Sequence, residues 1–285
     1  MQISMSGATG FIGDMLKTRF IDRGWQVNVI DRKSLDLEDK EFIDKKIEGS
    51  DVVINLAGAP ILKRWNDRYK KEIYQSRIDT TRKITTAIRD AHRKPLVFIS
   101  GSAIGIYNST ETHTEESLHF ADDFMGKVCR DWEHEALEAI GSTRVVIFRT
   151  SVVLGRNGGA LKTMYAPFKF GLGGIIGNGK QPFSWIHETD LINACLFTIE
   201  NEKISGIVNG VAPNPTTNYH FTKTFGKVLT QPTIMSVPEF ALKLVYGEGS
   251  QALTSGQKVL PEKLLKAGFT FSFPTIEKAL MNLYR

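Results

Sequence analysis

Residues 7–13 read Gly7-Ala-Thr-Gly10-Phe-Ile-Gly13 and lie between a short strand predicted at residues 2–6 and a helical pattern from about residue 11 to 23. In such a turn the first glycine permits a tight bend, the second lets the backbone approach a pyrophosphate, and the third lets the helix pack on the strand. The free N–H groups at the helix start attract phosphate. The stretch predicts a dinucleotide site, against the alternative of a glycine-rich structural turn. The loop residues expected to contact the cofactor are Gly7, Thr9, Gly10, Phe11, Ile12 and Gly13.

The rest of the first half alternates apolar runs with helical patterns. Strands are expected at residues 27–30, 51–56, 95–100 and 143–148, and helices at residues 67–92 and 121–140. This βαβα alternation is typical of a parallel sheet covered on both faces. It predicts an α/β, Rossmann-like, doubly wound parallel sheet.

The pattern changes after about residue 155, where eight glycines fall within residues 155–179. We therefore expect an NAD(P)-binding domain over residues 1–150, to which later elements return. We expect a smaller C-terminal α+β lobe on the substrate side over residues 151–285.

Two neighbouring residues bear on the choice between NAD and NADP. Asp31 ends the second predicted strand, 18 residues after Gly13, where a carboxylate holds the ribose hydroxyls. A carboxylate repels a 2′-phosphate, whereas Arg32 could clamp one. Both cofactors stay open, with a slight preference for NAD from Asp31.

Composition narrows the class of protein. The chain has 285 residues, a net charge of +5 and two cysteines. Two cysteines cannot build a disulfide framework, and no apolar run reaches the roughly 18 residues of a membrane span. We expect a cytoplasmic protein with a small-molecule substrate, no nucleic-acid or membrane partner, and a homodimer as one option. The excess charge fits a cationic surround for a pyrophosphate, with contributions from Arg32 and Arg77.

The densest basic stretch is short. It is broken by Asp67, and either a solvated helix face or an anion contact would explain it. Its members are Lys63, Arg64, Arg68, Lys70 and Lys71.

Several further motifs resemble a known family. They are Leu56-Ala-Gly-Ala-Pro-Ile61, Arg64-Trp65, Ser76-Arg77, Val128-Cys-Arg-Asp-Trp-Glu133, Arg149 to Gly155, Gly171-Leu-Gly-Gly174, Ser184-Trp-Ile-His187, Asn209-Gly-Val-Ala-Pro213, Gly256-Gln-Lys-Val-Leu-Pro261 and Gly268-Phe-Thr-Phe271. With the glycine loop they resemble an atypical extended short-chain dehydrogenase/reductase, of the branch assigned as NAD-dependent epimerases with a DUF1731-type C-terminal domain. The similarity covers nearly the whole chain.

The resemblance implies a path for the cofactor across the sheet. It implies eight cofactor contacts in addition to those of the glycine loop. They are Leu56, Ala57, Gly58, Glu72, Arg77, Ser100, Gly101 and Val152. For Arg77 the alternative is a surface salt bridge.

The usual catalytic pair of that superfamily, Tyr-x-x-x-Lys, is missing where it is expected. Residues 124–128 read Phe-Met-Gly-Lys-Val, and Lys127 is one residue out of place, which is about 100° around a helix. The pattern recurs at Tyr165–Lys169 and Tyr219–Lys223, but both lie in the wrong part of the fold.

Two residues remain as catalytic candidates. Ser102 is near the superfamily's serine position, although a turn-capping serine is an equal explanation. His187 follows the glycine-rich segment and precedes Glu188 and Asp190, which could orient its ring, although a lone histidine is more often structural. Tyr107 could present a phenol but is more often a packed residue, and no metal site is expected.

Two functions fit these features. The first is an NAD(P)-dependent oxidoreductase or epimerase acting on an unknown substrate, such as a sugar nucleotide, without the Tyr-Lys pair. The second is a non-catalytic NAD(P)-binding sensor or regulatory module.

Overall fold

A computed structural model describes residues 1–36 and 40–285. Its fourteen described strands are β1 (Gln2–Ser6), β2 (Gln26–Ile30), β3 (Val52–Asn55), β4 (Val97–Ala103), β5 (Thr112–His113), β6 (Arg144–Thr150), β7 (Val152–Leu154), β8 (Gly174–Ile176), β9 (Pro182–Phe183), β10 (Trp185–His187), β11 (Gly206–Gly210), β12 (Thr216–Thr217), β13 (Met235–Val237) and β14 (Lys258–Val259).

The described helices follow the same chain order. They are α1 (Phe11–Asp22), α2 (Arg32–Asp36), α3 (Lys40–Ile47), α4 (Asp67–Asp90), α5 (Phe124–Leu137), α6 (Gly159–Lys169), α7 (Glu188–Glu200), α8 (Asn218–Val228), α9 (Glu239–Tyr246), α10 (Gln251–Thr254), α11 (Glu262–Lys266) and α12 (Ile276–Tyr284), with 3₁₀ turns at Ile104–Ile106 and Glu248–Ser250.

Six parallel strands form the central sheet, in the order β11-β6-β4-β3-β1-β2. β11 occupies one edge although it lies more than 50 residues after β6 in the chain, so the chain returns to the first domain to finish the sheet. The predicted doubly wound α/β fold is confirmed.

Each face of the sheet is covered by helices with a buried apolar stripe. Leu16 and Phe20 of α1 pack with Leu191 of α7 on one face. Ile43 of α3 and Ile84 of α4 pack on the other, with residues of α5. Because both faces are buried, three of the four residues of β3 are apolar, and the Ser4 and Ser6 hydroxyls of β1 are hydrogen-bonded inside the fold.

The C-terminal part forms a smaller lobe of helices and strand pairs. The pairs are β7–β10, β8–β13 and β9–β12, and β14 pairs with β5 from the first 150 residues. A separate apolar cluster, which includes Trp185, Phe221 and Leu280, fills this lobe. Within the described residues, no helix combines the length and apolar character that crossing a membrane requires.

One helix begins later than its apolar pattern indicates. A helix is expected from residue 121, but α5 starts at Phe124 because Asp123 caps it, its carboxylate accepting from Gly126 N at 2.8 Å. An N-cap residue has extended backbone angles and so stands outside the helix.

Candidate functional site

The glycine loop joins β1 to α1 in a conformation that requires glycine. Gly7 has φ +72°, and a Cβ there would lie 2.6 Å from the Leu56 carbonyl carbon. A Cβ on Gly13 would overlap the Gly7 carbonyl oxygen, which also accepts from Gly10 N at 3.0 Å. No side chain caps α1 at Gly10. The first amides of α1 therefore face an approaching ligand without competition from a capping side chain.

A cleft of about 800 Å³ opens over this loop. Its described lining comprises Gly7, Ala8, Thr9, Gly10, Val29, Ile30, Asp31, Arg32, Leu35, Leu56, Ala57, Gly58, Ala59, Pro60, Arg68, Lys71, Glu72, Gln75, Ser76, Asp79, Thr80 and Lys83. The structure thus brings together nine predicted contacts from four separate segments: the glycine loop, the end of β2, the end of β3 and α4.

The end of the cleft near β2 carries mixed charge. Asp31 and Arg32 follow β2 directly, and the exposed Arg32 guanidinium lies 3.7 Å from a Glu72 carboxylate oxygen. Arg68 and Lys71 from α4 line the same cleft. Several cations therefore accompany the carboxylates at the place where a cofactor ribose is expected.

The basic stretch at residues 63–71 divides between two roles. Arg68 and Lys71 line the cleft. Arg64 instead donates to the Leu244 carbonyl at 3.3 Å, and Lys70 forms an ion pair with Glu248. Arg64 and Lys70 thus contact other parts of the protein, and an anion contact by Arg68 and Lys71 stays a prediction.

Arg77 is a buried cation without a carboxylate among the described residues. Its guanidinium donates to the carbonyls of Ile73 (3.0 Å) and Ala59 (3.1 Å) and lies over the Trp132 ring at 5.2 Å. A Cβ on Gly58 would lie 2.9 Å from the guanidinium carbon. Burial lowers the pKa of Arg77 from its ordinary value. The surface salt bridge considered from the sequence does not form.

Other predicted contacts lie behind or beside the cleft lining. The Phe11 ring packs into the glycine-rich segment, against Gly155, Gly158 and Gly159. Ile12 packs on the core of the first domain. Ile12 is partly buried in that core, so its side chain has a packing role beside any role in cofactor binding.

Three further predicted cofactor contacts, Ser100, Gly101 and Val152, lie in the strands β4 and β7. Ser100 is fully buried in β4, and its hydroxyl approaches the Gly101 carbonyl at 3.3 Å. A Cβ on Gly101 would lie 3.2 Å from the Trp132 ring, so only glycine fits closely there. Val152 pairs with Trp185 and is partly buried.

Ser102 belongs to a buried network that sequence reasoning missed. Its Oγ donates to Glu133 Oε1 at 2.6 Å. Glu133 also accepts two hydrogen bonds from Arg149, at 2.8 and 2.7 Å. Burial lowers the pKa of Arg149, but the hydrogen bonds and charge of Glu133 raise it more. The fork-shaped pairing therefore keeps the Arg149 guanidinium charged.

Tyr107 extends the same network. Its phenol oxygen accepts from Arg149 at 2.7 Å and lies 2.9 Å from the Thr114 carbonyl and 3.0 Å from Asn209 Oδ1. The side chain is fully buried, and burial raises its pKa. A neutral, packed phenol is the result. The sequence features that could have indicated this network are an acidic residue on α5, Glu133, and an arginine on β6, Arg149.

His187 caps α7. Its Nδ1 accepts from Thr189 N at 3.1 Å, and its ring packs on Phe273 with centroids 3.9 Å apart. Burial lowers its pKa to about 4, so the ring is neutral. No contact joins His187 to Ser102 among the described residues, and its catalytic role stays a prediction.

The residues at the expected catalytic pair have other partners. Phe124 meets Trp65 edge to face at 5.5 Å. Lys127 is exposed and pairs with Asp131 at 2.6 Å. Tyr165 stacks on Tyr284 within the C-terminal lobe. None of the described groups forms a tyrosine–lysine pair at the carboxyl end of β4.

The C-terminal lobe is fastened to the loop that follows β3. Trp65 N donates to the Tyr246 carbonyl at 3.3 Å, and Trp65 forms a bridge with Gly247. The indole N–H of Trp65 donates to Ile61 at 2.9 Å, which fixes the loop itself. The loop that walls the cleft and the segment that follows α9 are thus joined by hydrogen bonds.

Among the described residues, no cluster of side chains could hold a metal ion.

Comparison with known proteins places these features in a family. Residues 3–209 match the model of the NAD dependent epimerase/dehydratase family, and residues 237–283 match a domain of unknown function, DUF1731. An Arabidopsis thaliana chloroplastic homologue of the epimerase family protein SDR39U1 is 39% identical over 98% of this chain and 86% of its own. The Bacillus subtilis epimerase family protein YfhF is 38% identical over 99% of this chain and 98% of its own.

Solved structures agree in fold. Human epimerase family protein SDR39U1, crystallised with NADPH, is 34% identical, covers 100% of this chain and 99% of its own, and has a TM-score of 0.92. UDP-glucuronic acid 4-epimerase from Bacillus cereus, in complex with NAD, is 17% identical over 100% of this chain and 96% of its own, with a TM-score of 0.78. The second likeness is one of fold alone.

Proposed function

Since this chain belongs to the NAD dependent epimerase/dehydratase family, we propose that it binds NADP(H) in the cleft above the glycine loop and acts as an oxidoreductase or epimerase on a small molecule. The observation that carries this proposal is the uncapped start of α1 at Gly10, open to a cleft that ends at Asp31 and Arg32.

The glycine loop fits the pyrophosphate part of a dinucleotide. Backbone atoms occupy the space that a side chain at Gly7 or Gly13 would need, so a larger residue does not fit at either position. Gly10, by contrast, lines the cleft and presents backbone only. Amides at the start of a helix bind phosphate oxygens and place them in the positive end of the helix dipole.

The charges beside β2 favour a 2′-phosphate. Arg32 is exposed, and Arg68 and Lys71 line the same cleft from α4. Guanidinium and ammonium groups bind phosphate strongly, and they offset the repulsion from Asp31. The human relative at 34% identity was crystallised with NADPH. We therefore favour NADP(H) over the slight preference for NAD that Asp31 alone gives.

Arg77 supplies a fixed positive charge from beneath the cleft. Its burial removes hydration, and no described carboxylate compensates the charge, so a ligand that brings negative charge or hydroxyl oxygens above Gly58 gains from it. The guanidinium is held by two carbonyls and the Trp132 ring, which fixes its direction before a ligand binds.

The substrate side contains a serine that accepts rather than donates. Because the single Ser102 proton goes to Glu133, the remaining lone pairs of Ser102 can accept a hydrogen bond from a ligand hydroxyl or amide. The bound cofactor supplies hydride chemistry at its nicotinamide. Ser102 then orients a ligand group and does not protonate it, which is consistent with a reaction that lacks the Tyr-Lys pair.

The second candidate, a non-catalytic NAD(P) sensor, is favoured by one observation. The polar groups of Ser102, Glu133 and Arg149 satisfy one another in a buried network. A network closed on itself stabilises the fold and leaves no described acid or base for proton transfer. A sensor would keep the cofactor cleft and lose turnover.

Calorimetric titration with NADPH, NADP⁺ and NAD⁺ tests the cofactor. We expect the wild type to prefer NADP(H), and Arg32→Ala to lose at least about tenfold in NADP⁺ affinity while NAD⁺ affinity changes little. Equal affinity of the wild type for NADP⁺ and NAD⁺ would overturn the preference. Arg89→Ala, an exposed residue elsewhere on α4, is the matched control.

Turnover separates the two functions. NADPH deuterated at C4 is incubated with a panel of carbonyl compounds and sugar nucleotides, and deuterium in the products is followed by mass spectrometry. Transfer to any member supports the enzyme. Tight NADPH binding supports the sensor when there is neither transfer across the panel nor epimerisation of the sugar nucleotides in the presence of NADP⁺.

A further inference from the structure

One end of the C-terminal lobe presents large apolar side chains to solvent. They are Phe170, Leu172, Ile234, Met235, Phe240, Leu244 and Val245, with between 51% and 88% of each residue exposed. We call this set the α6–α9 surface. Scattered apolar residues are normal on a protein, whereas a group of seven on one substructure indicates an interaction site.

The contacts of the backbone bring these segments together. β8 and β13 pair from Gly174–Met235 to Ile176–Val237. A Cβ on Gly171 would lie 3.6 Å from Pro232, so the turn after α6 lies beside the segment before β13. The α6–α9 surface is therefore continuous from the end of α6 to β13.

α9 continues the surface from its first turn. A Cβ on Gly177 would lie 2.6 Å from a Glu239 carboxylate oxygen, which places the start of α9 against the β8 end. Phe240 and Leu244 stand one turn apart and share a face of α9. None of the eight residues of α9 is fully buried. The helix therefore offers its apolar face outward instead of to the core.

The segments that form the α6–α9 surface are rich in lysine. Residues 159–180 and 218–246 carry six lysines and one acid, Glu239. The lysines are Lys162, Lys169, Lys180, Lys223, Lys227 and Lys243, and all but Lys223 are exposed.

The net positive charge of the chain also comes from its C-terminal part. Residues 1–150 hold 23 Lys and Arg against 23 Asp and Glu, and residues 151–285 hold 13 against 8. By residue count the excess of +5 therefore falls in residues 151–285, while Arg32, Arg68 and Lys71 still line the cofactor cleft.

A second copy of this chain is a poor occupant. A two-fold interface brings the same patch of each copy together, so the exposed lysines of these segments would meet their own counterparts across it. An occupant with negative charge and an apolar interior fits both features. A bilayer that contains anionic lipids has phosphate groups for the lysines and acyl chains for Phe240 and Leu244.

We propose that the α6–α9 surface is a peripheral docking site for an anionic lipid bilayer. The apolar face of α9 enters the headgroup region, and the flanking lysines contact lipid phosphates. This departs from our expectation of no membrane partner, which rested on the lack of a spanning segment. The proposal does not depend on the cofactor or on turnover.

Co-flotation with vesicles tests it. The full chain is mixed with phosphatidylcholine vesicles that contain no anionic lipid or about one quarter phosphatidylglycerol. We expect flotation only with the anionic vesicles, and a loss of at least about fivefold in the bound fraction for Phe240→Ser with Leu244→Ser, and for Lys243→Glu with Lys227→Glu. Added salt of about 0.5 M should also release the protein.

Leu118→Ser is the matched control, because Leu118 is 78% exposed and lies in the first domain. It should float like the wild type, and all variants should keep the wild-type melting temperature and NADPH affinity. Absence of the wild type from the anionic vesicle fraction would overturn the proposal. So would equal flotation with neutral vesicles, or a dimer in sedimentation velocity that the Phe240→Ser and Leu244→Ser changes dissociate.

Discussion

Ser102 Oγ donates a hydrogen bond to Glu133 Oε1 at 2.6 Å, and Arg149 donates two further hydrogen bonds to that carboxylate. A hydroxyl bound to an ionised carboxylate makes a strong, charge-assisted hydrogen bond. Ser102 is therefore fixed in direction, and it differs chemically from a serine that is free to donate to a carbonyl.

Glu133→Gln should strongly destabilise the fold. It leaves the buried Arg149 charge without its counter-ion, and loss of one partner of a buried pair costs roughly 3–5 kcal/mol. Glu138→Gln is the control, since its pair with Arg89 is exposed, and exposed pairs contribute about 0–1 kcal/mol. Urea unfolding measures both. Similar costs for the two variants would show that the Arg149 pair is not buried.

Gly13→Ala and Gly10→Ala should affect different properties. A Cβ on Gly13 overlaps the Gly7 carbonyl oxygen, and such overpacking costs about 1–3 kcal/mol, so the melting temperature should fall. A Cβ on Gly10 would lie 3.3 Å from the same oxygen but faces the cleft, so folding should persist while NADPH affinity falls. Thermal melts with and without NADPH distinguish them. Unchanged NADPH binding by Gly10→Ala would place the pyrophosphate elsewhere.

Arg77→Met should separate binding from stability. Removing a buried cation that no described carboxylate neutralises costs the apo protein little or raises its melting temperature. NADPH affinity should fall about tenfold or more, because a charged hydrogen-bond donor is lost. Arg82→Met, exposed on the same helix, controls for the loss of charge. If NADPH still raises the melting temperature of Arg77→Met as it does in the wild type, Arg77 has no part in the cofactor site.

His187 should make stability depend on pH in acid. Burial holds its pKa at about 4 against 6.5 when unfolded, so the unfolded chain binds a proton more readily between these values. The stabilising contribution is complete above about pH 6.5 and is lost as pH falls toward 4. His187→Asn keeps a capping oxygen and should flatten this dependence.

The measurement is the free energy of unfolding at pH 7 and pH 4.5, compared between the wild type and the variant. His119→Asn serves as control because His119 is exposed. An identical pH dependence in wild type and His187→Asn would show that the His187 ring is hydrated. Loss of activity in His187→Asn without a change in stability would instead support the catalytic role predicted from the sequence.

Local sequence signals predicted the sheet well. The apolar runs that gave β3 and β6 are short and bounded by turns, and burial on both faces explains their composition. The helix start at Phe124 depended on one capping side chain, Asp123, whose effect a periodic pattern does not register. The glycine loop could be predicted because backbone geometry restricts those positions to one residue type.

The buried network and the charge distribution could not be predicted in the same way. Glu133 and Arg149 are 16 residues apart in sequence, and only the packing of α5 against the sheet brings them together. Arg77 looks like a surface residue in a helix of high charge, and its burial depends on the fold of the loop at Gly58 and Ala59.

The position of β11 has a consequence for synthesis of the chain. β6 is complete once Thr150 is made, yet its outer edge has no neighbour until residues 206–210 leave the ribosome. An unpaired edge of buried, apolar character invites pairing with other chains. The nascent protein therefore passes through an interval of about 3–12 s, at 5–20 residues per second, in which aggregation competes with folding. A fragment that ends at residue 150 would remain in that vulnerable state permanently.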